Sequence, residues 1–512
     1  MPARASLRLG SRGSVLALAQ SRIVMRALRA ADPGIDIQVV TIDTPGDRDR
    51  SAPLSAVNDP GFFSADIDTA LRAGRIDFAV HSMKDLPLAS RAGIRLAAIP
   101  AREDPRDVVV FRPEATDLLR AGQALRIGSS SARRALAAHA FLREALPHLH
   151  DTGPRLEHAP LRGPVEQRLQ RIRMAQDAPG ALDGIVLALA GLARLWGDRD
   201  GHACIAPLLR GARLMVLPLG ACPTAPGQGA LAVECRDDDH ALAARLAAID
   251  DPPSARRVRR ELALLAAQPE AERGAFGASS IRHERCGTLL FVRGQRGTRE
   301  FHRLIWKEPP RPRLARAWDG ADWARASEYR PAGRLDIAAA PAVFLAHWRA
   351  LPPGLSLPPT ARAWVSGVAS WRRLAARGQW VEGCAENLGF AAIRSTLESP
   401  VLQLPALAAW TVLTRADAVA SWQGSGVGRV LASYAIEEPT GETVLHDIGQ
   451  QVGTATHFYW GSTAQYRALR QWLPEGAYHA CGPGKTFQSL RSAGVTNLQA
   501  FPSREEWQTW VA

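Results

Sequence analysis

Lysine is almost missing from this chain of 512 residues: Lys84, Lys307 and Lys485 are the only three among 63 basic side chains, so the formal charge of +13 rests on guanidinium. Arginine suits rigid, bidentate recognition of carboxylate or phosphate. A GC-rich coding bias spread over a solvated surface explains most of these arginines, so only those inside motifs carry weight. No basic run reaches five residues, no zinc-ligand spacing occurs and no aromatics interleave with basic residues, which argues against a nucleic-acid partner. The six cysteines (Cys204, Cys222, Cys235, Cys286, Cys384, Cys481) contain no CxxC pair. That excludes a disulfide framework or a structural zinc site and fits a reducing cytoplasm. No apolar stretch approaches the roughly 18 residues needed to span a bilayer, so no membrane insertion is expected. The Arg- and Ser-rich start MPARASLRLGSRGSVLALAQ lacks the apolar core of a secretory signal and reads as part of the fold.

Tryptophan is nearly absent from the first part of the chain: Trp196 is the only one before residue 300, and the other thirteen lie between Trp306 and Trp510. This shift puts a seam near residue 310, inside the Pro- and Arg-rich stretch KEPPRPRLAR. With 46% apolar and 22% charged residues the chain should fold, and its length favours three or four compact units. Short apolar runs (IDIQVVTID, IDFAVHS, LDGIVLALA, GALAVECR) alternate with segments of helical period, which predicts α/β layers with largely parallel strands. After the seam, RAWVSG, WTVLTR and HFYWGS read as strands, with SWRRLAARG and STAQYRALRQWL as helices.

Four motifs hold candidate chemistry. HSMKDLP, residues 81 to 87, follows a strand and sets Lys84, the only lysine in the first 306 residues, beside Asp85; strand ends are where ligand contacts collect in α/β sheets. An exposed Lys-Asp turn is the plain alternative. RIGSSSARR, residues 126 to 134, runs from a strand into a helix; its hydroxyls, backbone N–H groups and the forks of Arg133 and Arg134 would cradle a carboxylate. A serine cap with solvated arginines explains the same letters. LRGPVEQRL sets Arg162 and Arg168 six apart around a Gly-Pro break, flanking an entrance or merely decorating a helix. Arg194 follows the strand LDGIVLALAG, and TAPGQGALAVECR is turn chemistry leading into a strand in which Cys235 reads as a small buried residue.

Taken in order, RLGSRGSVLALAQ, DFAVHSMKDLP, REDPRDVVV, IGSSSARR, LRGPVEQRL, DGIVLALAGLARL and APGQGALAVECR resemble hydroxymethylbilane synthase, the porphobilinogen deaminase family, over residues 8 to 236. The resemblance implies two periplasmic-binding-protein-like domains and a small α+β third domain. Their expected spans are 1–105 with 205–236, 106–204, and 237–308, followed by a further unit at 309–512. It implies a cytoplasmic, monomeric enzyme of tetrapyrrole biosynthesis that joins porphobilinogen units, with loss of ammonia, into a linear tetrapyrrole. Asp85, with Lys84 beside it, would protonate the leaving amine and stabilise the azafulvenium cation. Arg12, Ser14, Lys84, Ser130, Ser131, Arg133, Arg134, Arg162, Arg168 and Arg194 would hold acetate and propionate groups. The family primes itself with a dipyrromethane cofactor on a loop cysteine. Here no cysteine lies between Cys235 and Cys286, and counting back from VRG that position falls near Ala275. The family's Gly-Lys-Gly and following lysine also read differently, as DPGFFSAD at 59 to 66.

Residues 309–512 resemble uroporphyrinogen-III synthase, a bilobed α/β fold, through AWVSGVASWRRLAARG, VEGCAENLGF, WTVLTRADA, FYWGSTAQYRAL, HACGPGKTFQSLRSAGV and FPSREEW. That likeness implies Tyr434 as a group assisting loss of hydroxyl, with Ser366, Ser462 and Thr486 as lesser candidates. GPGKT at 482 to 486 lacks the first glycine of a Walker motif and reads as a capped helix start. The leading expectation is a fused enzyme that makes hydroxymethylbilane and hands it to the attached synthase. The second is a catalytically impaired homologue that binds tetrapyrroles or other polycarboxylates and supports the C-terminal unit. A general solute-binding module ranks third.

Overall fold

The computed structural model describes residues 6–42, 64–439 and 441–512; of the DPGFFSAD departure, residues 59–63 lie outside the described residues. The chain divides into two compact units. Met1–Arg143, Pro154–Ser280 and Leu290–Leu304 form the first, while Glu144–Gly153, Ile281–Leu289 and Ile305–Ala512 form the second. No helix among the described residues is long and apolar enough to cross a membrane.

The first unit contains two five-stranded sheets. Strands β1 (Leu7–Ser11), β2 (Ile37–Thr41), β3 (Phe78–Ser82), β4 (Ile94–Ala98) and β10 (Leu231–Arg236) make one, in the order β2-β1-β3-β10-β4. Strands β5 (Asp107–Phe111), β6 (Ala124–Ser129), β7 (Arg155–Pro160), β8 (Gly184–Ala188) and β9 (Arg213–Val216) make the other, in the order β7-β6-β8-β5-β9. Both are mixed, a correction to the largely parallel layers expected: β10 runs antiparallel to β3 and β4, and β5 antiparallel to β8 and β9. Buried apolar runs look the same in either direction, so periodicity does not report it. The second sheet also reaches Val216 through β9, whereas a return to the first layer was expected at 205.

Local sequence explains the elements that matter. The helix Val15–Ala31 starts where Ser14 Oγ accepts from the Ala17 amide at 3.3 Å and packs Val24 and Leu28 into a core with Leu9, Phe78 and Val233. Each such side chain contributes about 1.5–3 kcal/mol on full burial. A three-stranded sheet, β11 (Gly277–His283), β12 (Gly287–Arg296) and β13 (Arg299–Ile305), follows.

In the second unit β14 (Ala317–Trp318), β21 (His457–Trp460), β22 (Tyr478–Cys481) and β23 (Leu498–Ala500) pair in parallel. The larger sheet takes β15 (Glu328–Pro331), β16 (Ala342–Leu345), β17 (Arg362–Val365), β18 (Gly383–Cys384), β19 (Trp410–Arg415) and β20 (Arg429–Glu437) in the order β15-β20-β19-β16-β17-β18. Only its edge strand β15 is antiparallel to its neighbour. The tryptophans that marked the composition shift fill these cores, with Trp364, Trp371, Trp410, Trp460 and Trp507 fully buried. Residues 306–312 have no regular structure.

Candidate active site

At the end of β3 the chain makes one 3-10 turn, Met83–Asp85, which leaves Asp85 exposed and the Lys84 ammonium enclosed. Lys84 Nζ donates to Gln228 Oε1 at 3.1 Å. Gln228 sits between Gly227 (φ +77°) and Gly229 (φ +86°). A Cβ at Gly229 would stand 2.6 Å from the Glu103 carbonyl, so glycine is required there and the APGQG turn is a device for presenting the Gln228 amide. That amide donates from Nε2 to Asp107 Oδ1 at 2.8 Å and to the Pro105 carbonyl at 2.8 Å.

Asp107, the first residue of β5 and 1% exposed, is the hub. Arg134 donates to it through Nε at 3.1 Å and Nη2 at 2.7 Å, and Arg133 Nη1 reaches it at 3.3 Å. Desolvation alone would raise its pKa, but the two guanidiniums and the bond from Gln228 hold the carboxyl far below the usual carboxylate range. Arg133 and Arg134 open the helix Ala132–Ala145 and are both buried. They were expected as free forks, yet much of their donor capacity is taken: Arg133 Nη1 also donates to the Pro223 carbonyl at 2.9 Å, and Arg134 Nη2 to Gln228 at 3.3 Å.

Arg168 joins this group. Its Nη1 donates to Ser130 Oγ at 3.2 Å and its Nε to the Gly163 carbonyl at 2.6 Å. Burial and then repulsion from Arg134 push it down to about 10, against attraction from Asp85, so it stays charged at neutral pH. Lys84 is pushed down to about 8 by burial and by Arg134, with Asp85 and Asp107 opposing. Ser131 Oγ accepts the Arg134 amide at 3.3 Å. Arg194 is buried, donates through Nη2 to the Gly229 carbonyl at 2.6 Å, and keeps Nε buried without a partner among the described residues. Burial pushes Arg194 down to about 10, with Glu103 opposing. Arg12 and Arg162 are half-buried; the charge of Arg12 reaches His81, which burial, Arg91 and Arg12 together hold down to about 3.

Ser14, expected to bind a carboxylate, is the helix cap described above, its Oγ accepting from the Ala17 amide. Ala275, the expected anchor position, is half-buried beside Arg133, Pro223 and Arg293. Sequence reasoning missed Asp107, Gln228 and Glu261 as organising residues. The only trace of the first two was their presence inside REDPRDVVV and APGQG.

In the second unit Tyr434 lies on β20, 8% exposed. Its ring is 5.6 Å from Tyr329 and 6.4 Å from His347. Burial raises its pKa, with Arg415 opposing. Arg349 and Arg373 stand over Trp348 at 5.3 and 4.6 Å, and burial with Arg349, Arg373 and Arg415 pushes His347 down to about 4. The pattern had not pointed to this basic, aromatic surround. Ser366 follows β17 in the same sheet, whereas Ser462 and Thr486 follow strands of the other sheet. Ser462 Oγ caps its helix by accepting from the Gln465 amide at 3.2 Å. Thr486 is not a cap, a correction: Gly484 holds that position without a side-chain bond, because the helix Lys485–Ser492 starts two residues earlier than a Thr486 cap requires. Lys485 stacks on Trp422 at 4.1 Å and donates to the Ser421 carbonyl, so GPGKT does not present it to a phosphate.

A sequence model described as Porphobilinogen deaminase, dipyromethane cofactor binding domain, matches residues 7–244. The porphobilinogen deaminase of Syntrophus aciditrophicus (strain SB) is 34% identical over 304 residues, covering 59% of this chain and 88% of that protein. Porphobilinogen deaminase 1 of Streptomyces coelicolor is 42% identical over 264 residues, covering 51% and 74%. Porphobilinogen deaminase of Roseiflexus sp. (strain RS-1) is 38% identical over 295 residues, covering 58% and 87%.

Proposed function

The chain belongs to the porphobilinogen deaminase family, and from that premise we propose that its first unit condenses porphobilinogen, with loss of ammonia, into the linear tetrapyrrole hydroxymethylbilane. An imbalance of charge among the described residues carries the reading: Lys84, Arg133, Arg134 and Arg168 gather about three carboxylates, Asp85, Asp107 and Glu166, of which Asp107 is occupied by Arg133 and Arg134. Every pyrrole of the growing chain brings an acetate and a propionate, which a surplus of enclosed cations accommodates. We assign to Lys84, Arg168 and Arg194, with Ser130 and Ser131, the binding of those groups, and to Arg12 and Arg162 the flanks. Asp107 keeps Arg133 and Arg134 oriented. Asp85, exposed on the adjoining turn, holds the proton for the leaving amine and then, as carboxylate, faces the positive charge that develops on the substrate.

The family model is that of a dipyrromethane-binding domain, and the same residues fit the carboxylates of that group: the buried Nε of Arg194, which has no partner among the described residues, is one such donor. When bound it supplies the pyrrole end to which the first porphobilinogen is joined. A thioether does not fit, because residue 275 carries a methyl group. Incubating the purified protein with porphobilinogen should consume the substrate, followed with Ehrlich's reagent, and release ammonia. No consumption would favour the second reading, a polycarboxylate-binding homologue without turnover, for which the methyl group at Ala275 speaks.

Lys84 adds a pH dependence. Its folded pKa of about 8 lies below its ordinary 10.5, so between those values the unfolded chain binds more protons. Stability gained by deprotonating Lys84 therefore appears as pH rises through about 8, and its ammonium is lost to carboxylates over the same range. Titration calorimetry with a pyrrole polycarboxylate should show affinity falling and proton uptake appearing above that pH. In Lys84→Arg both should vanish; an unchanged profile would remove Lys84 from the binding set.

For residues 309–512 the reading is a uroporphyrinogen-III synthase-like unit that captures the linear product at high local concentration. Two largely parallel sheets, the strand–Ser–helix turns at Ser366 and Ser462, and the basic surround of Tyr434 support it. Oxidised products of the full chain should be enriched in the porphyrin isomer with one inverted ring. Tyr434→Phe should slow ring closure roughly ten- to a hundredfold, about one hydrogen bond's worth. A product mixture identical to spontaneous cyclisation in the parent chain would end this reading.

A further inference from the structure

Thioether formation needs an accessible sulfur with thiolate character, and the described structure offers none at the site. Ala275 ends in a methyl group, and the cavity it lines with Arg133, Pro223 and Arg293 measures about 10 Å³, room for about one water. Cys222 is buried with Sγ 3.5 Å from the Ala137 carbonyl. Cys235 lies inside β10, where burial pushes it up to about 11. Cys204 is exposed, on the helix Arg199–Leu209, which packs against the helices Val15–Ala31, Val165–Gln170 and Leu189–Trp196. Cys286, next along the chain, belongs to the second unit, where burial pushes it up to about 12.

What the described part of the first unit has instead is a group of cations, Lys84, Arg168 and Arg194, held at or beside the Lys84 turn and the Gly227–Gly229 turn. Lys84 and Arg168 are both driven below their ordinary pKa values by burial and by Arg134. Arg194, buried beside Gly229, keeps Nε without a partner among the described residues. Cations held close together are favoured by a polyanion bound among them, whose ion pairs are stronger in partly dehydrated surroundings than at a fully solvated surface. Such a site retains a multiply charged ligand through several charge-assisted hydrogen bonds without any covalent link.

Resting on the deaminase reading, we propose that this chain holds dipyrromethane as a dissociable polycarboxylate ligand, through Lys84, Arg168 and Arg194, in place of a thioether. Removing one of these donors should weaken retention by roughly ten- to a hundredfold.

The test is the intact mass of the full chain, expressed in a host that makes porphobilinogen, under native and denaturing conditions, beside a porphobilinogen consumption assay. Expected are a native mass increased by one dipyrromethane, a denatured mass equal to that of the bare polypeptide, and an occupied fraction that falls sharply in Arg168→Ala. A denatured mass that keeps the increment overturns the proposal, because another residue then anchors the group covalently. Consumption without any native increment overturns it while leaving the deaminase reading standing; neither increment nor consumption defeats both. Full retention in Arg168→Ala also overturns it. The native-against-denaturing comparison of the parent chain holds whether or not that variant folds.

Discussion

Asp85→Ala should lower the rate of porphobilinogen consumption by about a hundred- to ten-thousandfold, the usual worth of a positioned acid–base group. The expectation follows from where the turn puts the carboxylate. Asp85 is exposed, whereas its neighbour Lys84 is enclosed and bonded to Gln228, so truncating Asp85 removes a group that substrate reaches and leaves the packing intact. Thermal stability should therefore stay within about 0.5 kcal/mol of the parent, as for surface substitutions generally. Asp85→Asn separates two roles. The amide keeps the shape and loses both the proton and the negative charge, so a loss equal to that of alanine points to charge and proton rather than contact. Consumption unchanged in both variants would take Asp85 out of the chemistry. A fall accompanied by unfolding would show that the turn, not the carboxylate, was disturbed.

Glu261→Ala should cost about 3–5 kcal/mol of stability, the range for stranding the partner of a buried ion pair. Glu261 is 0% exposed on the helix Pro252–Ala266 and accepts at every side of its carboxylate. Arg102 donates to it at 2.6 and 2.9 Å, the Gly227 amide at 2.9 Å, and Ser280 through N at 2.7 Å and Oγ at 2.5 Å. The Arg102 side chain, 1% exposed, would keep, among the described residues, its bond to the Gln228 carbonyl at 2.8 Å. Because Gly227 and Gln228 belong to the turn that meets Lys84, porphobilinogen consumption should fall with stability. Glu261→Gln, which retains the shape and one acceptor oxygen, should lie between. Urea midpoints followed by near-ultraviolet dichroism measure both; a loss of less than about 1 kcal/mol, the centre of ordinary substitutions, would show that Glu261 organises nothing.

How far these residues were legible depended on sequence distance. Lys84 and Asp85 were visible because an isolated lysine in an arginine-saturated chain stands directly after a strand, and Arg133 and Arg134 because they follow three serines at a helix start. Their common counter-ion was not visible. Asp107 meets Arg134 across 27 positions and Gln228 across 121. Nothing local distinguishes that aspartate from its neighbours in REDPRDVVV. Glu261 reads as one more charge on an amphipathic helix, and its burial depends on the turn at Gly227 arriving from elsewhere in the chain. Strand direction was hidden for a related reason, since a run buried on both faces has the same periodicity whichever way it points.

The sequence by itself determined the apolar runs that became strands, the glycines on either side of Gln228 that allow the APGQG turn its positive φ, and the near-absence of any cation but arginine. It also determined that position 275 offers no sulfur. Each is a property of one residue or a few adjacent ones, governed by side-chain chemistry and backbone freedom. Only the tertiary structure decided that Asp107 and Gln228 bind Arg134 and Lys84 together, that Ser14 is occupied in capping a helix, and that Tyr434 stands near Arg349 and Arg415. Those outcomes depend on which distant segments share one dehydrated space, where charges interact strongly enough to change donor availability and pKa.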